Sequence, residues 1–427
     1  MDFQECQKIA VLAENGDANA QLKLANMYHN GETMPKNGVE ALAWYLKSAA
    51  QDNVYAQYNL GILYRSGEGE VQSDTASFHW FEQAAKQGYA HAQYKVAFIY
   101  KKGQIVERDD TQAGYWFQQA AQQGHSHSQY MIATIYENGT GVNQNYSEAL
   151  HWYELSAKQG DPDAQNNLAN MYDRGKGVPQ NGIEALSWYK KSAEQGNVYA
   201  QYNLGIMFTN GGGEVQSDTA ALIWFEKAAN QGYAKAQFKI GTIYQKGAGV
   251  VKSQSEAFAW YKKAAENGHG IAQYNLANMY SDGEGVSQSV FSAIYWYEKA
   301  AAQGISNAEL NLGSLYRNPK QNLNQDDRKA LYWYEKAAAQ ENKFAQYNLG
   351  IMYDGVSGEI RCDSSIALQW FEKAAEQGYI KAQSKAADMY YRGRGTDTDL
   401  KKAAYWYEKA AKQGDTNAAY RMKIMGY

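Results

Sequence analysis

The side chains of this chain that are best suited to chemistry are its seven histidines, because imidazole can ligate a metal or transfer a proton near neutral pH. They are His29, His79, His91, His125, His127, His151 and His269. No H-E-x-x-H motif is present, and His125 and His127 form only a weak pair at a predicted turn and helix start. His91 and His127 occupy equivalent places in successive repeats, so a helix-packing step of about 10 Å separates them. The histidine spacing therefore predicts no metal site.

The two cysteines, Cys6 and Cys362, lie near opposite ends of the sequence. We do not expect them to form a disulfide, because their separation in an elongated array exceeds the reach of such a bond. Neither cysteine stands at a fixed spacing from a histidine, and no other nucleophile–base pair is evident. The sequence thus predicts no catalytic residue, no cofactor and no enzymatic activity.

Glycine pairs of the form G-x-G recur through the chain and raise the question of a phosphate-binding loop. They are Gly139/Gly141, Gly175/Gly177, Gly247/Gly249, Gly283/Gly285 and Gly393/Gly395. A phosphate-binding loop of this kind follows a strand and opens a helix. These pairs instead follow predicted helices and recur with a fixed period, so we interpret them as turns that end helices.

The elements that carry these residues are set by an internal repeat, which the eleven tryptophans mark. They are Trp44, Trp80, Trp116, Trp152, Trp188, Trp224, Trp260, Trp296, Trp333, Trp370 and Trp406. Eight of the steps between them are 36 residues and two are 37. A fixed period of this size predicts an array of stacked units that bury their apolar faces against their neighbours.

One repeat, residues 197–232, shows that the unit is a helical hairpin. Ala200, Leu204 and Phe208 share one face of a first helix, which we call helix A, and Trp224 and Ala228 share a face of a second, helix B. A small residue recurs at one position of helix A: Ala20, Ala56, Ala92, Ser128, Ala164, Ala200, Ala236, Ala272, Ala308, Ala345, Ala382 and Ala418. We expect the tryptophan to fill the volume that these small residues leave, so that its truncation to alanine costs about 3–5 kcal/mol.

Composition narrows the possible partners and compartments. The net charge of −4 and the calculated pI of about 6.0 do not favour nucleic-acid binding, which needs a basic surface. No stretch reaches 18 apolar residues, so we expect no membrane insertion. The N-terminal segment lacks the apolar core of a signal peptide. We expect a cytoplasmic protein, or a periplasmic or secreted one if a signal peptide has been removed from the chain.

The repeated string A-Q-x-x-L-G/A-x-x-Y-x-x-G-x-G-V, followed by A-x-x-W-Y/F-x-K-A-A-x-Q-G, resembles the Sel-one-like repeat (SLR) family, which is related to the tetratricopeptide repeat. It is nearly intact in Ala164–Val178 with Ala185–Gly196 and in Ala272–Val286 with Ala293–Gly304. The resemblance implies an all-α fold, a right-handed α-solenoid superhelix of about twelve helix-turn-helix repeats. It further implies roles as adaptor, scaffold or partner-binding protein. Some bacterial members have a disulfide in each repeat and are linked to β-lactam binding, and this chain lacks those cysteines.

We expect residues 1–427 to form a single array, with a capping helix in 1–16, eleven A/B hairpins in 17–414 and a terminal A helix in 415–427. Irregular loops are predicted at Asn318–Asp327 and Gly355–Asp363. The segment that begins at Asn53 recurs at Asn197 and at Asn342, so four-repeat blocks have been copied. This copying is either duplication history alone or the basis of a groove for a repetitive partner.

A second face of helix A, which by the resemblance lines the concave groove, is the predicted partner-binding surface. Its candidate residues are Tyr55, Tyr58, Ile62, Arg65, His91, Tyr94, Phe98, His127, Tyr130, Tyr199, Tyr202, Ile206, Lys235, Phe238, Ile271, Tyr274, Phe344, Tyr347 and Ile351. Exposed aromatic residues provide large contact areas for peptides. The alternative for Tyr58 and its equivalents is that they pack between adjacent A helices.

The resulting hypothesis is a protein-interaction scaffold or adaptor that captures an unidentified protein or peptide in the concave groove, with a role as an immunity, inhibitor or regulatory protein as one specific form. The alternative is a secreted or periplasmic small-ligand binder or hydrolase of the β-lactam-linked SLR type. We expect a monomer, or a weak homodimer formed through the terminal helices.

Overall fold

The computed structural model describes residues 3–31, 34–69, 71–212, 216–319, 323–355 and 361–426, and the regular elements in these ranges are all α-helices. Helices α1–α12 are Phe3–Glu14, Ala18–Asn30, Gly38–Ala49, Val54–Ser66, Asp74–Lys86, Ala90–Lys102, Asp110–Gln122, Ser126–Asn138, Tyr146–Lys158, Pro162–Arg174, Gly182–Glu194 and Val198–Asn210. Helices α13–α24 are Asp218–Asn230, Ala234–Lys246, Gln254–Glu266, Gly270–Asp282, Val290–Ala301, Ser306–Arg317, Asp327–Ala339, Lys343–Asp354, Ser364–Glu376, Ile380–Arg392, Leu400–Lys412 and Thr416–Ile424. Parts of both predicted irregular loops lie outside the described residues.

The helices alternate between the two predicted types, with helix A at the even numbers from α2 and helix B at the odd numbers. Within each unit, an A helix packs against the B helix that follows it, and that B helix packs against the next A helix. The all-α class and the array of helical hairpins are therefore confirmed. Contacts divide the chain into two compact units, Met1–Ser217 and Asp218–Tyr427. Over the part of the chain that the structure describes, no helix is both long enough and apolar enough to cross a membrane.

Local side chains and glycines set the ends of the helices. The Asn37 side chain, for example, accepts hydrogen bonds from the backbone amides of Val39 and Glu40 at 3.1 Å and so caps α3. The A helices commonly end at a glycine in the left-handed conformation, such as Gly175 with φ of +66° after α10. The second glycine of the pair, Gly177, also has positive φ and lies against the start of α9 at Tyr146. The G-x-G pairs are thus helix-ending turns.

The buried aromatic ring of each hairpin is the residue after the tryptophan, so the expectation that tryptophan fills the core is wrong. Rings at this next position are at most 2% exposed: Tyr45, Phe81, Phe117, Tyr153, Tyr189, Phe225, Tyr261, Tyr297, Tyr334, Phe371 and Tyr407. Among the tryptophans only Trp152 and Trp406 are buried, and the other nine are half-buried. The Tyr261 ring, for example, packs directly against Gly241 of helix A, where a Cβ would lie only 2.7 Å from the ring.

Tryptophan instead lies at the edge of the hairpin, and in seven repeats a lysine of the same helix lies over its ring. The Lys191 ammonium lies 3.9 Å from the centre of the Trp188 ring, and Lys263 lies 4.0 Å from Trp260. A helix turns by about 100° per residue, so only one of two adjacent aromatic residues can point at the small residues of helix A. The expected burial of the small-residue position of helix A is confirmed, because the eleven alanines at this position and Ser128 are each at most 5% exposed.

A buried glutamine follows the small residue of helix A and ties three helices together. The Gln129 amide donates to the Ala121 carbonyl of the preceding B helix at 3.2 Å and accepts from Gln159 of the following one at 2.7 Å. Glu309 replaces glutamine once and is 4% exposed. This ladder satisfies the buried polar groups where three helices meet.

Candidate functional site

The predicted partner-binding residues form a stripe along the A helices, which we divide into outer, inner, third and fourth positions. Tyr55, Tyr58, Ile62 and Arg65 occupy these positions on α4. The outer residues are exposed: Tyr55, His91, His127, Tyr199, Lys235, Ile271 and Phe344. Four of them are large apolar or aromatic side chains that are about half exposed, namely Tyr55 at 54%, Tyr199 at 55%, Ile271 at 53% and Phe344 at 45%. Within each unit, such side chains on the same face of the A helices form a surface suited to a partner.

The inner residues are half-buried, because each packs against the buried ring of its own hairpin. They are Tyr58, Tyr94, Tyr130, Tyr202, Phe238, Tyr274 and Tyr347. The Tyr58 and Phe81 ring centres lie 5.6 Å apart, and those of Tyr347 and Phe371 also lie 5.6 Å apart. Burial raises the pKa of the Tyr58 hydroxyl. The inner ring thus both supports the hairpin and forms the floor of the stripe.

A third aromatic group, which the sequence interpretation missed, joins the outer and inner rings. It is the residue just before helix A, directly after the repeated Q-G. The Tyr89 ring lies 5.4 Å from Tyr55 and 5.1 Å from Tyr58, edge to face in both cases. Tyr379 makes the same pair of contacts, at 5.2 Å with Phe344 and 5.0 Å with Tyr347. Its signal in the sequence is the aromatic residue or histidine that follows Q-G at 89, 125, 233 and 379, and N-G at 269.

Three histidines and a carboxylate lie along the stripe on α6, α8 and the start of α10. The His91 and His125 ring centres are 4.9 Å apart, a contact that the sequence interpretation did not predict. Burial, and then the charges of His91, His127 and Lys95, lower the pKa of His125 to about 4. The Asp161 carboxylate lies 3.2 Å from His127 Nδ1 and raises the pKa of His127. The described residues contain no group of three or more potential ligands placed to hold a metal.

Farther along the chain, the stripe changes its character. Lys235 is exposed on α14. The burial of His269, and then the positive charge of Lys235, lower the pKa of His269. The His269 ring stacks on the inner residue Phe238, with centres 4.6 Å apart. Ile271 follows as an exposed aliphatic residue on α16. The inner scaffold therefore persists, and the exposed chemistry differs from one repeat to the next.

The third position depends on the type of the buried ring, a coupling that the sequence interpretation also missed. Where that ring is tyrosine, the third residue is polar and bonds the ring hydroxyl. The Tyr189 hydroxyl donates to Asn170 Oδ1 at 2.6 Å, for example. The other pairs are Asn26 with Tyr45, Thr134 with Tyr153, Thr242 with Tyr261, Asn278 with Tyr297, Ser314 with Tyr334 and Asp388 with Tyr407.

Where the buried ring is phenylalanine, the third residue is apolar. These residues are Ile62, Phe98, Ile206 and Ile351, in the repeats of Phe81, Phe117, Phe225 and Phe371. A buried hydroxyl needs a partner and a phenyl ring does not, so the ring type decides whether the third position is polar. Four of the predicted site residues are therefore apolar because of the ring beneath them.

Comparison with known proteins places these features in a family. A family model of the Sel1 repeat matches eleven times, at residues 18–53, 54–89, 90–125, 126–161, 162–197, 198–233, 234–269, 270–305, 306–342, 343–379 and 380–415. Each match begins at a helix A. No curated protein sequence matches the chain.

Two solved structures are similar over most of their length. One is c5321, a protective antigen of uropathogenic Escherichia coli strains displaying an SLR fold, with 35% identity and a TM-score of 0.76. That match covers 99% of this chain and 90% of the other. The second is a Sel1 repeat protein from Oxalobacter formigenes, with 31% identity and a TM-score of 0.60, covering 74% of this chain and 92% of the other.

Proposed function

We propose, on the premise that this chain belongs to the Sel1 repeat family, that it is a scaffold or adaptor which binds an extended segment of a partner protein along the A-helix stripe. Sel1 repeat proteins generally mediate protein–protein interactions and are generally not enzymes. The proposal concerns which surface of this chain does so. An immunity, inhibitory or regulatory role is one form that such binding takes, and the identity of the partner decides it.

The observation that carries the proposal is the exposure of variable outer residues on top of a constant inner layer. Tyr55 is 54% exposed although its ring rests on Tyr89, which in turn rests on Tyr58. A rigid exposed ring provides contact area at little cost in conformational entropy when a partner binds. The four-repeat copying places similar ring groups in both units, which favours a partner with repeated apolar segments.

The test compares two triple substitutions of exposed aromatic residues by serine, one on the stripe and one on the B helices. The stripe variant is Y55S/Y199S/F344S. The matched control is Y115S/Y295S/Y332S, which removes tyrosines of similar exposure, 50–52%, from the B helices. Each tagged full-length chain is used to capture partners from the native host, and captured proteins are quantified by mass spectrometry.

We expect the stripe variant to lose the partner that the wild type retains, with little change in melting temperature, and the control to keep it. Retention of the same partner by the stripe variant, or its loss from the control alone, would reject the stripe as the binding surface.

A further inference from the structure

A cleft of about 510 Å³ opens between α4, α5 and α6, in the first unit. Its apolar lining includes Ile62, Phe81, Phe98 and Ile99. Phe81 is 1% exposed and lies deep in the hairpin, whereas Ile62 is 36% exposed at the surface of the stripe. Pockets that take ligands or anchoring side chains generally have volumes of roughly 300–1,000 Å³ and mostly apolar linings.

The cleft is apolar because two successive repeats carry phenylalanine as the buried ring. Phe81 and Phe117 are the one such consecutive pair in the sequence, and their third residues are Ile62 and Phe98. Hence neither of these hairpins has a hydroxyl on its buried ring or a polar residue at the third position.

The corresponding place on α8 and α9 shows what is missing from the cleft. There, Thr134 contacts the Tyr153 hydroxyl at 3.2 Å, and that hydroxyl donates to the Glu137 carboxylate at 2.9 Å. Glu137 occupies the fourth position of α8, and Arg65 occupies the same position of α4, beside the cleft. A polar network therefore occupies this place on α8 and α9, whereas the cleft has an apolar lining next to a cation.

The polar rim of the cleft is basic. Arg65 and Lys95 both line it, and among the described residues of the lining there is no aspartate or glutamate. Neither of them forms an ion pair with any carboxylate of the described ranges. Lys102 of α6 adds a third positive charge near the cleft, since its ammonium lies 5.5 Å from the Phe98 ring centre. An arginine without an acidic partner is suited to a carboxylate, which it can bind with two parallel hydrogen bonds.

We infer that this cleft binds a large apolar side chain of a partner segment, with an aspartate or glutamate of the same segment held by Arg65 and Lys95. The inference rests on the proposed function and specifies its ligand. A segment lying along the stripe passes over Tyr94, which lines the cleft and is also the inner residue of α6. This continuity favours a peptide over a free fatty acid, the other ligand that combines an apolar body with a carboxylate.

The test uses a substitution pair that the chain itself contains elsewhere. I62N/F81Y converts this hairpin to the Asn–Tyr pair found at Asn170 and Tyr189, and so introduces polar groups into the cleft. The matched control, N170I/Y189F, makes the reverse exchange on α10 and α11, at two residues outside the predicted partner-binding set. The probe is an array of Gly–Ser peptides in which two central positions sample all amino-acid pairs, incubated with the labelled full-length chain. Affinities of the best peptides are then measured by fluorescence polarisation.

We expect the strongest signals from pairs of Leu, Met or Phe with Asp or Glu. I62N/F81Y should weaken the best peptide by about tenfold or more, and the control by less than about twofold. R65Q, a change at an exposed residue that needs no repacking, should remove the preference for Asp over Asn. This second variant keeps the test decisive if I62N/F81Y fails to fold.

Several outcomes would overturn the inference. Peptides that keep their affinity for I62N/F81Y but lose it for Y55S/Y199S/F344S would place binding on the stripe outside the cleft and leave the proposed function standing. If no array peptide binds while the host partner is still captured, the inference is likewise overturned and the proposed function still stands. Binding of decanoate that I62N/F81Y abolishes, without peptide binding, would assign the cleft to a small carboxylic acid.

Discussion

At the scale of single residues, the two aromatic residues at the centre of helix B have different roles. Tyr189 is 2% exposed and its hydroxyl is bonded to Asn170, whereas Trp188 is half-buried under Lys191. Truncating Tyr189 leaves a cavity and removes its hydrogen bond to Asn170, whereas truncating Trp188 removes contacts at an edge that solvent can fill.

We therefore expect Tyr189→Ala to lower the free energy of unfolding by about 3–5 kcal/mol, and Trp188→Ala to lower it by at least about 1 kcal/mol less. Urea unfolding followed by circular dichroism measures both variants. A larger loss for Trp188→Ala would contradict the assignment of the core to the residue after the tryptophan.

Glu309 is the one acidic residue in the buried glutamine ladder. Gln340 donates to its carboxylate at 2.8 Å, but a carboxylate has no hydrogen to donate to a carbonyl, as Gln129 donates to Ala121. Burial raises the pKa of Glu309, and the charge of Lys336 and the Gln340 hydrogen bond offset this in part. Because its pKa is higher in the folded chain, the folded state loses stability as the pH rises above the unfolded value of 4.5.

Glu309→Gln should therefore stabilise the chain at pH 7, by about 1 kcal/mol, because it restores the missing donor and removes a buried charge. The gain should shrink as the pH falls below about 4.5, where the unfolded glutamate is itself protonated. Thermal unfolding at both pH values tests this. As a control, Glu341→Gln, an exposed change, should shift neither midpoint.

At the scale of elements, the second glycine of each G-x-G pair joins two hairpins. Gly177 has φ of +69°, and a Cβ there would lie 2.7 Å from Tyr146 Cβ and 2.8 Å from the Tyr146 carbonyl oxygen. Gly196 has φ of +89°, but a Cβ there would meet nothing within 4 Å. Both positions share the strain of a left-handed backbone, and only Gly177 also has a steric constraint.

We expect Gly196→Ala to cost about 1 kcal/mol, from its backbone conformation alone. Gly177→Ala should cost more, by about 1–3 kcal/mol, since the loop or the start of α9 must move. Equal losses in chemical denaturation would show that the loop shifts freely and that the glycine is needed only for its conformation.

At the scale of the whole molecule, contacts group the chain into the units Met1–Ser217 and Asp218–Tyr427, and within each unit every helix packs against the next one along the chain. Stability in such an array is a sum of repeat and neighbour contributions, so local damage is expected to stay local. The affinity for a partner is not local in this sense, because a partner that contacts several repeats gains binding free energy from all of them.

Hydrogen exchange measured by mass spectrometry should reveal this local response. Tyr189→Ala should raise exchange in the helices of residues 1–217 by at least about 100-fold, with little change in residues 218–427. Tyr334→Ala, which removes a ring that is 2% exposed in the second unit, should produce the reverse pattern. Faster exchange throughout the chain in both variants would show that the array unfolds as one cooperative body.

The repeat, the two helices of each hairpin, the buried small residue and the helix-ending glycines could all be predicted from the sequence. Each depends on a local rule: a period of 36 or 37 residues, apolar spacing along a helix, or a glycine that tolerates positive φ. The exposure of the outer residues could also be predicted, because Tyr55 and its equivalents lie on a different face of helix A from the small residue at Ala56.

The tertiary structure alone decided which aromatic residue is buried and what the stripe residues touch. Trp188 and Tyr189 are adjacent and both aromatic, and only the rotation of helix B against helix A selects Tyr189. The bond from Tyr189 to Asn170 spans 19 residues, and the contact of Tyr55 with Tyr89 crosses from one hairpin to the next. Contacts of this kind depend on how neighbouring helices are rotated and spaced, which no pattern within a single helix specifies.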